Sequence, residues 1–362
     1  MLIHICASAH KEYFYYLLGI VGNRPIAVKI EQYNETWYAK FFFTDLKKDI
    51  FLKGNCDSLG CQFSTYEWKV SEGKQHILET FFIKEQPDHT WKGDWIDQNK
   101  NTHNIFLHPI KIGSSKHLYH YQPVVRAMDP YSFYRTRDLK FLKVKSEVIH
   151  GKYKVDWYEE SISGLMFPRV RNGFTKEQRD SINRAFEGIH LKEVENYFSC
   201  GAVAHSGEYK LKTEFTFINS ELIGLTKETT YNCQSEQAST DKINLTFSAD
   251  TGHILDLENI FWLGNGTPPP AESQLWYEYR YNVFGSTIKN ILTQLYPEKM
   301  KSKIGCNYDD PSVWQFPTWY LTDKGLFVGS FSPGIDHTCD APVWSIIPFK
   351  RLEAYKNPAF NF

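Results

Sequence analysis

Short strand-forming runs follow one another from about residue 13 to residue 110, and this succession restricts the fold more than any other feature of the sequence. Runs such as "PIAVKIEQY", "TWYAKFFF" and "HILETFFI" are apolar or alternating, and Gly, Asn, Asp or Pro separates each run from the next. The connections are too short for parallel crossovers, so neighbouring strands should pair antiparallel. Residues 10–110 are therefore predicted to form an all-β domain, an antiparallel meander that is closed as a small barrel or folded as a sandwich.

The pattern changes beyond this domain. Residues 111–138 are polar and aromatic without a period, which predicts a linker that packs against the protein, because its many Tyr and Phe rings would not remain in water. From residue 139 onwards, strand-like runs alternate with two helical patterns. Residues 139–362 are therefore predicted to form an α+β domain with helices packed on an antiparallel sheet.

The two helical patterns have clear boundaries. The first begins at Thr175, a natural N-cap residue, and Gln178 three positions later completes a capping box. The second covers "ESQLWYEYRYNVFGSTIKNILTQLY" and should end before Pro297, which cannot continue a helix. An apolar stripe along the second helix is predicted from Leu275, Tyr279, Val283, Ile288, Leu292 and Leu295.

The first nine residues, "MLIHICASA", end an apolar run with a small-x-small site at Ala7 and Ala9. Such a site is typical of signal-peptide cleavage, so residues 1–9 are interpreted as a signal-peptide remnant. A short buried strand and a lipidated Cys6 are the alternatives.

Six cysteines remain when Cys6 is set aside, and an even number suits a disulfide framework. Pairing in sequence order is predicted, because strand patterns between the members of each pair can fold back beside each other. Six free thiols in a cytosolic protein are the alternative. The predicted disulfides are Cys56–Cys61, Cys200–Cys233 and Cys306–Cys339.

Several classes of function have no support in the sequence. The formal net charge of −1 gives no electrostatic reason for nucleic-acid binding, and no apolar run is long enough for a transmembrane segment. The motifs of serine hydrolases, nucleotide-binding proteins and zinc peptidases are missing, and no Cys or His spacing suits a metal. We therefore expect no catalytic residues, no metal site, no cofactor and no enzymatic activity.

Three stretches of the second domain resemble one family, in the same order along the chain. "SGLMFPRVRNGF" followed by "INRAF" is similar to the opening of the family module. "LTFSADTGHILDLENIFW" is similar to its central strand, Thr-Gly turn and helix start, and "YLTDKGLFVGSFSPG" with "VWSIIPFKRLEAY" is similar to its ending. Together they cover roughly residues 160–355. The family is the C-terminal module of RsiV-type anti-sigma factors, which is also attached to PdaC-type peptidoglycan deacetylases.

The resemblance implies an α+β module in an exported bacterial protein, periplasmic or secreted. In the anti-sigma factors this module binds lysozyme, so the implied partner is a lysozyme-like or other wall-degrading enzyme. The chain departs from the family at "TTYNCQSEQAST", where a Gly-Gly-Ala-His-like motif is common, and it lacks the deacetylase domain and the transmembrane segment. Deacetylation and signalling across a membrane therefore do not transfer.

The loop "SFSPGIDHTCDAP", residues 330–342, is the candidate partner-binding segment. It carries Asp336, His337 and Asp340 around Cys339, between two apolar runs. A loop fixed by a disulfide loses little conformational entropy on binding, and acidic side chains suit a basic partner. An ordinary connection that the disulfide merely fastens is the alternative.

Two hypotheses from different classes follow. The first is a binding protein that recognises another protein, as a lysozyme-like inhibitor or a toxin immunity protein does. The second is an enzyme that acts on cell-wall glycan or peptide; the missing catalytic motifs favour the first. A secreted eukaryotic protein is a third reading, because Asn34, Asn244 and Asn265 stand in N-glycosylation sequons.

Overall fold

The computed structural model describes residues 13–69, 74–111, 128–200, 208–233, 238–301, 306–331 and 339–362. The interpretation of residues 1–9 as a signal remnant, with Cys6, and most of the predicted linker lie outside these ranges.

The N-terminal strands form a closed barrel in which each strand pairs antiparallel with the next along the chain. The last strand returns to the first and closes the barrel, with Leu18 opposite His108. The predicted antiparallel meander is thereby confirmed, and the barrel rather than the sandwich is the form it takes. The strands are β1 (Phe14–Val21), β2 (Arg24–Tyr33), β3 (Thr36–Phe43), β4 (Ile50–Asp57), β5 (Gly60–Lys69), β6 (Lys74–Glu85), β7 (Trp91–Ile96) and β8 (Thr102–Pro109).

Side chains fill the barrel, as expected for eight strands. Phe41 packs on Phe81 with 4.9 Å between ring centroids, and Trp91 and Leu107 are buried beside them. At Gly93 the neighbouring strand comes so close that a Cβ atom would lie 1.7 Å from the carbonyl oxygen of Phe82. Glycine is therefore required where these two strands approach each other so closely.

A short helix, α1 (Pro130–Thr136), lies in the predicted linker and connects the barrel to the second region. Asp129 caps it, since its carboxylate accepts a hydrogen bond from the Ser132 backbone at 2.8 Å. Tyr131 packs on Phe42 of the barrel wall with 4.9 Å between ring centroids.

In the described residues beyond the barrel, separate three-stranded antiparallel sheets stand where one sheet was predicted. The long helix α2 (Lys176–Ser199) separates the first of these sheets from the second along the chain and packs on the last strand of the first. The first sheet contains β9 (Phe141–Ile149), β10 (Tyr153–Glu160) and β11 (Met166–Asn172). The second contains β12 (Glu208–Ile218), β13 (Leu222–Asn232) and β14 (Ser239–Ser248), and the third contains β15 (Trp319–Thr322), β16 (Gly325–Val328) and β17 (Ile346–Ile347).

Helix α2 begins at the predicted N-cap. The Thr175 hydroxyl accepts a hydrogen bond from the Gln178 backbone at 3.2 Å, and the Gln178 side chain accepts one from the Thr175 backbone at 3.1 Å. The helix continues to Ser199. Leu191, Val194 and Phe198 of its second half are buried in a core cluster separate from that of Ile182 and Phe186 in its first half.

The Thr-Gly turn of the family-like segment packs directly on this helix. Gly252 has a φ of 69°, and a Cβ atom there would lie 2.4 Å from the Ser181 carbonyl oxygen. The short helix α3 (Leu257–Ile260) follows, with Asp256 as its N-cap. The predicted order of strand, turn and helix start is therefore present.

The second predicted helix contains a π-helical turn. It comprises α4 (Gln274–Tyr279), the π turn Arg280–Phe284 and α5 (Gly285–Leu295). The additional residue per turn rotates the buried face, so the predicted apolar stripe is wrong at Leu275, which is 65% exposed, and at Val283, which is also exposed. Arg280 and Phe284 are buried in their place.

The chain closes with short helical elements around the third sheet. These are α6 (Pro297–Met300), the 3-10 turns Pro311–Trp314 and Glu353–Tyr355, and α7 (Phe349–Leu352).

A buried ionic network joins the barrel to the second region. Arg135 of α1 donates to Asp49 of the barrel at 2.7 Å and, through two nitrogens, to Glu195 of α2 at 2.6 and 3.3 Å. Asp49 also accepts hydrogen bonds from the Tyr131 hydroxyl at 2.6 Å and from Lys40 at 3.1 Å. Burial alone lowers the pKa of Arg135, but the two carboxylates more than offset this effect and raise the pKa.

Candidate functional site

The structure contains the three disulfides that pairing in sequence order predicted: Cys56–Cys61, Cys200–Cys233 and Cys306–Cys339. The first links the two strands of the β4–β5 hairpin. The second joins Cys200, at the end of α2, to Cys233, directly after β13. The third anchors the candidate loop.

The base of the candidate loop is held at several points. The Cα atoms of Cys306 and Cys339 are 5.3 Å apart. The Cys339 carbonyl oxygen accepts hydrogen bonds from the Ser330 hydroxyl at 2.7 Å and from the Tyr308 hydroxyl at 3.1 Å. The two arms of the loop are therefore fixed to each other and to the segment that follows Cys306.

Aromatic packing supports this base from below. Tyr308, Trp314 and Trp344 contact one another with ring centroids 5.5 to 6.4 Å apart. The fully buried Trp314 also donates its indole N–H to the Tyr308 carbonyl at 2.9 Å. A loop base packed on interlocked rings has little freedom to rearrange.

Two apolar side chains flank the loop and were not predicted as site residues. Phe331 is 51% exposed although its backbone N–H is held by the Val313 carbonyl at 2.8 Å, and Val343 is 88% exposed. Exposed apolar residues carry no periodic signal in a loop sequence, so only the structure identifies them.

Of the three predicted partner-binding residues, the structure describes Asp340. It is half-buried next to the disulfide. Burial raises the pKa of Tyr308, and the nearby Asp340 carboxylate raises it further. Asp336 and His337 lie outside the described residues.

Neighbouring carboxylates make the loop base acidic. Asp309 forms an ion pair with Lys289 at 2.9 Å, while Asp310 caps a 3-10 turn by accepting from the Ser312 backbone at 2.8 Å. The part of the chain that the structure describes contains no cluster of three or more His, Cys, Asp or Glu side chains that could hold a metal ion.

Glu160, the last residue of β10, is fully buried and accepts hydrogen bonds from the backbone of Ile162 and Ser163 at 3.1 and 2.7 Å. This carboxylate therefore closes a turn.

None of the helices in the described ranges has the length and apolar character needed to span a membrane.

Comparison with solved structures gives distant likenesses. The chain is similar to a crystal structure of a member of the DUF3298 family from Bacteroides fragilis, with 12% sequence identity and a TM-score of 0.34; the match covers 61% of this chain and 95% of that one. No protein-family profile matches the sequence. No curated protein matches it either.

Proposed function

We propose that the chain is an exported bacterial binding protein that recognises another protein, and that its partner is a peptidoglycan hydrolase. The three disulfides fit an oxidising compartment outside the cytoplasm. The partner class comes from the resemblance of residues 160–355 to the lysozyme-binding module of RsiV-type anti-sigma factors. In this function the chain acts as an inhibitor or an immunity protein.

The observation that carries the proposal is the combination of a rigid loop base with exposed apolar side chains. Phe331 and Val343 stand in solvent on a base that the Cys306–Cys339 disulfide and the Cys339 carbonyl contacts hold in place. Binding energy in protein interfaces concentrates in a few such anchors, and a fixed loop lowers the entropy lost on association.

Charge supports a basic partner. Asp340 lies at the loop base, and Asp336 stands in the loop sequence. Acidic side chains around apolar anchors accelerate association with a basic protein and favour it over acidic competitors.

The test is titration calorimetry and inhibition of muramidase activity with a panel of basic lysozyme-like hydrolases and amidases. Phe331→Ser and Val343→Ser should each weaken binding about tenfold or more, as expected for anchors worth at least 1.4 kcal/mol. Leu59→Ser is the matched control, because the Leu59 side chain is also largely exposed but lies on the β4–β5 turn of the barrel.

Two results would reject the proposal. One is the absence of binding to every hydrolase in the panel. The other is peptidoglycan cleavage by the purified protein itself, which would favour the wall-acting enzyme instead.

A further inference from the structure

A groove of about 520 Å³ lies between α2 and the sheet of β9, β10 and β11. Pockets that hold small molecules have volumes of roughly 300 to 1,000 Å³. The groove shares no residue with the disulfide-anchored loop, so what it binds does not depend on the protein partner proposed above.

The groove exists because α2 covers only part of the sheet. Phe167 of β11 packs on Phe186 of α2 with 5.7 Å between ring centroids, so the helix lies over this edge. The opposite edge, β9, remains open. Val148 lies two residues after Ser146, which hydrogen-bonds Asp156 inside the groove, so Val148 shares its face of the sheet and is exposed there.

The walls of the groove are largely apolar. Phe141, Tyr158, Val170 and Leu191 line it, and Val170 and Leu191 belong to the buried core. Asn183 holds the wall in place, because its side chain accepts from the Val170 backbone N–H at 2.7 Å and donates to the Val170 carbonyl at 2.9 Å. The apolar surface is therefore preformed.

Most of the charged groups in the groove are already satisfied. Arg169 contacts the Pro168 carbonyl at 2.8 Å, His190 at 3.4 Å and Glu187 at 3.5 Å. Asp156 accepts from Ser146 at 2.6 Å and pairs with Lys143 at 2.9 Å. Neither of these lining residues has its charge open to a ligand.

Arg171 and Arg179, unlike Arg169 and Asp156, have few contacts with other described groups. The Arg179 guanidinium donates to the Arg171 carbonyl at 3.4 Å, which places the two residues side by side, and no carboxylate of the described residues lies within 4.0 Å of it. Among the described residues, the carboxylate paired with Arg171 is that of Asp156 at 3.9 Å, and Asp156 also binds Ser146 and Lys143. A guanidinium carries five N–H donors, so most of those on this pair have no acceptor in the part of the chain that the structure describes.

We propose that this groove binds a small amphipathic anion. Its carboxylate or phosphate group contacts Arg171 and Arg179, and its apolar body lies against Phe141, Val170 and Leu191. Planar guanidinium groups suit both oxyanions, because each can accept two parallel hydrogen bonds from one arginine.

The sign of the ligand charge follows from the lining residues. The groove is lined by the guanidinium groups of Arg169, Arg171 and Arg179 and by the carboxylates of Asp156 and Glu187. Both carboxylates have cationic partners, so the unbalanced charge is that of the outer two arginines. An amphipathic cation would meet these two arginines without a free carboxylate to offset them.

The experiment is titration calorimetry of the full chain with four probes: decanoate, decyl phosphate, decyltrimethylammonium and inorganic phosphate. We expect the two decyl anions to bind, with added salt weakening them, and the decyl cation and inorganic phosphate to bind at least about tenfold more weakly. Preference for decanoate or for decyl phosphate would identify the source of the oxyanion.

Variants test the assignment to these arginines. Arg179→Gln and Arg171→Gln should each weaken decanoate or decyl phosphate binding on the order of tenfold, the loss of one charge-assisted contact. Arg184→Gln is the matched control, because Arg184 lies on the same helix, is outside the groove lining and donates a hydrogen bond to the Ser181 hydroxyl at 3.2 Å. Equal affinity for the decyl anion and cation, or an equal loss in Arg179→Gln and Arg184→Gln, would overturn the proposal.

Discussion

Replacement of Arg135 by Met tests whether the buried ionic network holds the barrel to the rest of the chain. The Arg135 side chain is 1% exposed and contacts Asp49 at 2.7 Å and Glu195 at 2.6 Å. Methionine keeps most of the side-chain volume, so the substitution removes charge and hydrogen bonds without opening a large cavity.

The expected loss of stability depends on which hydrogen-bond partners each carboxylate keeps when Arg135 is replaced. Asp49 keeps Lys40 and the Tyr131 hydroxyl, whereas Glu195 loses both of its contacts with Arg135. The cost is therefore that of about one orphaned buried carboxylate, roughly 3 to 5 kcal/mol of unfolding free energy. With a urea m-value near 3 kcal/mol/M, the midpoint should fall by about 1 to 2 M.

The assay is equilibrium urea unfolding, followed by tryptophan fluorescence and by circular dichroism. We expect one transition for the native chain and two for Arg135→Met, because the network crosses from the barrel to α1 and α2. The same measurement tests the predicted division into two domains with a boundary within residues 111–138, and limited proteolysis of the variant should cut there.

Arg137→Met is the control, since Arg137 is two residues away and pairs with Asp138 on the surface. An exposed pair contributes at most about 1 kcal/mol. Equal midpoints for the two variants would refute the reasoning. Asp49→Asn and Glu195→Gln, added to Arg135→Met, should recover part of the lost stability, because they remove the orphaned charges.

Two other predictions follow from buried groups. Burial, with a smaller contribution from Arg169, lowers the pKa of His190 to about 3. Below pH 6.5 the His190 side chain is therefore protonated in the unfolded chain but stays neutral in the folded chain. The free energy of unfolding should therefore fall as the pH drops from 6.5 towards 3, by about 2 kcal/mol at pH 5. In urea titrations at pH 8 and pH 5, His190→Gln should remove this pH dependence, whereas the control His253→Gln should not. Thiol titration of the denatured, unreduced protein from an oxidising host should detect no reactive thiol other than that of Cys6. Six further reactive thiols would contradict export. Removal of the Cys200–Cys233 bridge, whose cysteines are 33 residues apart, should lower the unfolding free energy by about 3 to 4 kcal/mol. Removal of the Cys56–Cys61 bridge should lower it by about 2 kcal/mol, because this bridge closes a shorter loop. A larger loss from the short bridge would contradict this dependence on loop length.

Local signals in the sequence predicted the parts of the fold that local interactions control. The strand runs of the first domain are all present, and the capping box at Thr175 and Gln178 starts α2 where expected. Both signals depend on residues within a few positions of each other. The second helix shows the limit, because the π turn at Arg280–Phe284 shifts which side chains are buried and a regular period cannot reveal such a shift.

The residues of the two candidate surfaces also fall into those that the sequence indicated and those that only the structure identified. Cysteine order and the acidic loop residues pointed to the Cys306–Cys339 loop, whereas Phe331 and Val343 became apparent only through their exposure on a fixed base. The groove arginines carried no signal, because Arg171 and Arg179 belong to different elements that meet only when α2 packs on the sheet.

The sequence by itself determined the order and type of most elements, the antiparallel pairing of the first domain and the partners of the six cysteines. Only the tertiary structure decided that the meander closes, that the second region has several small sheets, and that Arg135 is buried between Asp49 and Glu195. The physical reason is distance along the chain. Periodicity and turn residues report interactions between near neighbours, whereas β1 meets β8 and Arg135 meets partners 86 and 60 residues away only after the whole chain has packed.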